Sequence, residues 1–164
     1  MRSDLDDALV RDFPCLYRDR HGDTRETRMC DGFPGDGWER LIRRMGEKIE
    51  PFCVGTDLRA FQVKEKFGAL RVYLRPSEPI PDEVRAAVGH AVGESRRTCE
   101  GCGAPERRRR TLCADCATFA GEWERRRFRR TDADKEWLAQ FRGDFGQLLS
   151  FEDALRRWRV GGTR

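Results

Sequence analysis

The sequence predicts an α+β fold, and three observations carry that expectation. Apolar residues recur at helical spacing in several segments, alternate with polar ones between residues 60 and 75, and give way after residue 98 to two Cys-x-x-C pairs. With 164 residues the chain can hold one core of ordinary size with appended pieces. The expected organisation is a helix and β-hairpin core over 1–98, a four-cysteine finger with a following basic helix over 99–130, and a C-terminal helical extension over 131–164.

In chain order, Leu5, Ala8, Leu9 and Phe13 share one face of a short helix that Pro14 stops. Residues 18–28 show no period and read as a surface loop around Gly22, with His21 solvated in it. Gly32-Phe-Pro-Gly-Asp-Gly-Trp38 is dense in turn formers and introduces a second helix. Asp36 is expected as its N-cap, with Glu39 completing a capping box, and Trp38, Leu41, Ile42, Met45 and Ile49 form a core stripe as far as Pro51. The Gly-Asp-Gly turn lacks the Lys-Ser/Thr of a phosphate-binding loop, which excludes that use.

Residues 60–75 alternate on both sides of a Phe67-Gly68 turn and predict a β-hairpin. Phe61 and Val63, with Leu70, Val72 and Leu74, are expected to face the helices. The opposite face carries Gln62, Lys64, Lys66, Arg71, Tyr73 and Arg75, a basic and partly aromatic surface kept as a secondary candidate for nucleic acid. Val84, Ala87, Val88, Ala91 and Val92 then mark a helix from about residue 82 to 96, with His90 off the stripe on its surface.

That helix leads into Cys99-Glu-Gly-Cys102-Gly, and ten residues later Cys113-Ala-Asp-Cys116 follows. The spacing lets four thiolates, Cys99, Cys102, Cys113 and Cys116, surround a tetrahedral Zn²⁺. Gly101 and Gly103 suit a tight knuckle at positive φ, and Cys113 and Cys116 precede a helical pattern whose N-terminal dipole favours thiolate. A treble-clef-like finger and a three-stranded ribbon both fit. Beyond the finger, Thr131 caps a helix carrying Trp137, Leu138 and Phe141 that Gly143 ends, and a last helix from Ser150 presents Phe151, Ala154, Leu155 and Trp158. The connection between these two helices is too long for a helix-turn-helix, so they read as a cap or a partner surface.

Seven cysteines, four of them at ligand spacing, suit a reducing compartment, and no apolar run suggests a leader or a membrane span; a cytoplasmic protein is expected. Cys15, Cys30 and Cys53 read as ordinary thiols. The net charge of +4 is concentrated in residues 96–130, which hold eleven basic and five acidic side chains. Four thiolates on a dication would lower that local excess from +6 to about +4.

Gly35-Asp36-Gly37-Trp38, Gln62-Val63-Lys64-Glu65-Lys66-Phe67-Gly68 and Thr98-Cys99-Glu100-Gly101-Cys102-Gly103-Ala104-Pro105 with Leu112-Cys113 together resemble a family of small, uncharacterised bacterial and phage proteins. The resemblance spans about residues 30–117 and implies one α+β unit ending in a finger, with no activity attached. Many members close the finger with a cysteine and a histidine where this chain has Cys113 and Cys116, and its finger loop is shorter and filled with arginine.

Four cysteines would close the metal, leaving no position for water, so the zinc is expected to be structural and the protein a non-catalytic binder. The expected contacts are Arg107, Arg108, Arg109 and Arg110 on the finger loop, with Arg125, Arg126, Arg127, Arg129 and Arg130 on the next helix, and Lys64, Lys66, Arg71 and Tyr73 on the hairpin. Nucleic acid or an acidic protein would suit them, with no membrane partner; a phage-type inhibitor acting by protein contact is the alternative. The deaminase signature is absent, paired Cys-x-x-C argues against thiol redox work, and the only histidines, His21 and His90, are poorly placed for a finger-based nuclease.

Overall fold

A computed structural model describes residues 1–76, 79–105, 111–129, 131–144 and 147–161. Its elements are α1 (Ser3–Asp12), α2 (Glu39–Cys53), β1 (Arg59–Lys66), β2 (Ala69–Arg75), α3 (Asp82–Ser95), α4 (Ala114–Arg129), α5 (Asp132–Ala139) and α6 (Phe151–Gly161). This is the α+β class, with six α-helices and one two-stranded antiparallel sheet among the described residues. Among the described residues no helix is long and apolar enough to cross a membrane.

Two apolar clusters organise the described residues. The first is built on the α2 stripe, where Trp38, Leu41, Ile42, Met45 and Ile49 are all buried, and it takes in Leu9 and Phe13 from the α1 end, Val63 and Leu70 from the hairpin, and Val84, Ala87 and Ala91 from α3. The second joins Cys99 and Cys116 to Phe119 and Trp123 of α4 and to Phe141, Ala154 and Leu155. The C-terminal helices therefore cover the finger helix with their aromatic sides. Phe119 lies at the centre of that cluster, with the rings of Trp123, Trp137, Phe141, Phe151 and Trp158 at centroid distances of 5.2 to 5.9 Å.

Local chemistry explains several boundaries. Thr131 forms a capping box with Asp134 at the start of α5, and Ser150 Oγ accepts from the Asp153 amide at the start of α6. The hairpin turn has Phe67 at φ 56° and Gly68 at φ 74°, a two-residue connection of the twist that antiparallel strands favour.

Other expectations are corrected. Asp36 caps nothing: residues Asp36–Trp38 form a 3₁₀ turn, and the Asp36 carboxylate is held by the Arg2 amide and Nε, both at 2.8 Å. Helix α2 runs two residues past Pro51, which sits in its last turn. A bulge between Ala60 and Gln62 changes the register, so Ala60 joins Val63 in the core while Phe61 lies under the Arg75 guanidinium, 4.2 Å from ring centroid to Cζ. Helix α5 ends at Ala139, before Gly143. In the 18–28 segment Thr27 is buried, and Arg20 forms a bidentate pair with the buried Asp6 at 2.8 and 3.1 Å.

Candidate metal centre

Cys99 and Cys102 lie on a knuckle between α3 and the finger loop, and Cys113 and Cys116 at the start of α4. Placing the second pair on a helix start agrees with the treble-clef-like alternative; among the described residues the finger has an isolated bridge, Thr98 to Pro105, and no strand. The knuckle is closed by Gly103 N–H to Cys99 O at 2.8 Å and Cys99 N–H to Ala104 O at 2.8 Å. Gly103 alone of its two glycines has positive φ, 73°. Gly101 is needed for space instead, because a Cβ there would lie 3.0 Å from Leu155 Cδ2 and 3.3 Å from Cys116 Sγ.

All four Sγ atoms lie within 4.8 Å of one another, and those of Cys102 and Cys113 are 3.8 Å apart. A tetrahedron with metal–sulfur bonds of about 2.3 Å has edges of about 3.8 Å, so this donor set fits a four-coordinate ion. Cys99 and Cys116 are fully buried, and Cys102 and Cys113 are half-buried. The Cys113 amide donates to Cys99 Sγ at 3.2 Å, the amide-to-sulfur pattern that stabilises a thiolate.

The Cys99 thiol is pulled below its ordinary pKa, first by the hydrogen bond shared with the Cys116 thiol and then by the Cys113 and Cys102 amides. The same shared proton drives Cys116 upward, and burial pushes Cys102 up to about 11. Sulfurs this close compete for protons, and a bound cation is what allows them to ionise together.

The residues that hold the centre against the rest of the molecule were not expected from the sequence. Gly37 N–H donates to Glu100 O at 2.6 Å, Gly35 N–H to Glu100 Oε1 at 2.9 Å, and Trp38 Nε1 to Thr98 O at 2.8 Å. Glu100 N–H in turn donates to Thr111 O at 2.7 Å. The Gly-Asp-Gly-Trp turn thus docks on the knuckle, and Trp38 is a core residue, as expected. A Cβ on Gly37 would lie 2.2 Å from Cys99 O and 2.3 Å from Gly103 N. Two glycines either side of an acid, with no phosphate-loop lysine, was the available signal for such a close backbone approach.

The expected contact residues divide. Arg107 to Arg110 and Arg130 lie outside the described residues, as does the side chain of Arg129. Arg125 and Arg126 both pair with Glu122; Arg126 also reaches Asp134 Oδ1 at 3.5 Å and lies 5.0 Å over the Trp137 ring. Arg127 faces Glu124 at 4.0 Å and the Trp123 ring at 6.0 Å. On the hairpin, Lys64, Lys66 and Arg71 have no carboxylate partner among the described residues, and Lys64 Nζ lies 5.4 Å from the Tyr73 ring centroid. His21 and His90 are exposed and apart from the sulfur cluster, which among the described residues contains cysteines alone. No protein-family model, curated protein or solved structure matches this chain.

Proposed function

We propose that this chain is a non-catalytic binding protein, stabilised by structural Zn²⁺ on Cys99, Cys102, Cys113 and Cys116, that presents cations to nucleic acid or an acidic protein surface. The observation that carries the reading is the four-sulfur cluster, all Sγ atoms within 4.8 Å of one another, built into the second apolar cluster. With every coordination position filled by protein sulfur, the ion keeps none for water or substrate and supplies fold stability. An all-thiolate tetrahedral set suits Zn²⁺ in a structural role.

Support for a polyanionic partner comes from Lys64, Lys66 and Arg71 on the hairpin, which have no carboxylate partner among the described residues, with Arg107 to Arg110 and Arg130 as further candidates. The test is metal analysis of the purified chain, chelation, and capture of partners from lysate with and without nuclease. One zinc per chain is expected, and its removal should shift Trp emission to the red, since Trp123, Trp137 and Trp158 belong to the finger-side cluster. Cys113→Ser should do the same. An unchanged melting profile in the metal-free protein would overturn the structural role. A partner retained after nuclease digestion would favour a protein modulator of the kind the bacterial and phage likeness suggests.

A further inference from the structure

Resting on the reading of the chain as a binding protein, we infer that the solvent face of the β1–β2 hairpin is a stacking platform for single-stranded nucleic acid. Register places Lys64 opposite Arg71 and Gln62 opposite Tyr73 on that face, and residues two apart along a strand are about 7 Å apart. Along β2 the Tyr73 ring therefore lies between the cations Arg71 and Arg75. Arg75 lies 4.2 Å over Phe61, Lys64 Nζ 5.4 Å from Tyr73, and Lys66 Nζ 5.2 Å from Phe67. The acid of these strands, Glu65, belongs to the other face, where it accepts from Gly68 N–H at 2.7 Å and from Thr111 Oγ1 at 3.4 Å. Asp31 touches the margin, accepting from Gln62 Nε2 at 3.2 Å.

Phe67 decides between partners. Its ring is 85% exposed while its backbone sits at φ 56°, a conformation that type I′ turns normally give to Asn, Asp or Gly and that costs a bulky residue energy. Neither turn geometry nor core packing accounts for phenylalanine there. Tyr73, 42% exposed, is a second ring facing water. An acidic protein could cover the rings as well as neutralise the cations, but a single strand supplies a flat base for each ring and a phosphate for each neighbouring cation in one repeating ligand. Unpaired bases stack on such rings while adjacent cations meet the phosphates, and a duplex hides the base faces that stacking requires.

The test uses the full-length, zinc-loaded chain and fluorescence anisotropy with labelled oligo(dT), oligo(U) and duplex DNA of about 12 nucleotides or base pairs, long enough for one site. Single strands should bind preferentially, with a slope of log affinity against log salt of about −2 to −3, the value for three or four phosphates. Tyr73→Ala should weaken binding about 5- to 30-fold, and Tyr73→Phe should restore it. Phe67→Asn, which supplies the residue the turn prefers, should raise the melting temperature while weakening binding. The inference is overturned if oligonucleotides do not bind at low salt, if duplex binds as tightly as single strands, or if these two sites can be changed without effect. It also fails if Phe67→Asn lowers the melting temperature, since the ring would then be structural. Binding lost only when Arg107 to Arg110 become alanine would move the contact to the finger loop. The broader reading falls separately, when neither nucleic acid nor any lysate protein is retained.

Discussion

Gly37→Ala should damage this protein far more than a single methyl group suggests. The added Cβ would lie 2.2 Å from Cys99 O and 2.3 Å from Gly103 N, both backbone atoms of the closed knuckle, so neither can swing aside. The turn and the knuckle must separate, and the separation breaks Gly37 N–H to Glu100 O, Gly35 N–H to Glu100 Oε1 and Trp38 Nε1 to Thr98 O. At about 1 kcal/mol for each bond, and more where a buried donor is left unsatisfied, the loss is about 3–4 kcal/mol. Alanine restricts the unfolded chain and returns about 0.4–1 kcal/mol, so the net cost is about 2–3 kcal/mol. Gly121→Ala is the control. It lies within α4, where a Cβ meets nothing within 4 Å, and should stabilise by about 0.5–1 kcal/mol. Urea unfolding of the zinc-loaded proteins, followed by Trp fluorescence, measures both. If Gly37→Ala comes within about 0.5 kcal/mol of the wild type, a threshold below the worth of one hydrogen bond, the docking argument is wrong.

Two other outcomes follow from side-chain pairings. Arg126→Ala removes the contacts to Glu122, Asp134 and the Trp137 ring, and should cost about 1–2 kcal/mol in denaturant midpoint analysis. Oligonucleotide affinity should be unchanged by it, in contrast to the hairpin variants. The Asp12 carboxyl is held below its ordinary value of 3.8, chiefly by its hydrogen bond with Arg43. A lowered folded-state pKa means that the pair contributes above the ordinary value and is lost as the pH falls through the lowered one. Arg43→Gln should therefore melt below the wild type at neutral pH, and the gap should narrow once Asp12 is protonated; a gap independent of pH would refute the assignment.

Much of the architecture was legible because its signals are local. Cysteine spacing alone brought out the four sulfurs, and period-2 alternation around Phe67-Gly68 brought out the hairpin. Thr131 and Ser150 marked two helix starts by the same local logic. What escaped depends on partners distant in sequence. Asp36 has the spacing of a capping box with Glu39, yet Arg2, 34 residues away, takes its carboxylate. Alternation cannot reveal a bulge, because one extra residue at Phe61 leaves the composition untouched while exchanging which neighbours face the core. Among the arginines of α4, Arg125 and Arg126 pair within the helix with Glu122, whose position three and four residues before them is the spacing of helical ion pairs. Glu100 carried no signal of its own role, although its amide, carbonyl and carboxylate all tie the knuckle down.

The docked knuckle also implies an order of assembly. Its sulfurs are neighbours in the chain, Cys102 and Cys113 being 11 residues apart and Cys99 and Cys113 14, whereas Gly35 and Glu100 are separated by 65. Closing a 65-residue loop costs about 1.4 kcal/mol more than closing one of 14, since the entropy grows with the logarithm of length. A cation held by the four sulfurs would therefore need only short loops closed, and the Gly-Asp-Gly-Trp turn would then dock on a knuckle already shaped.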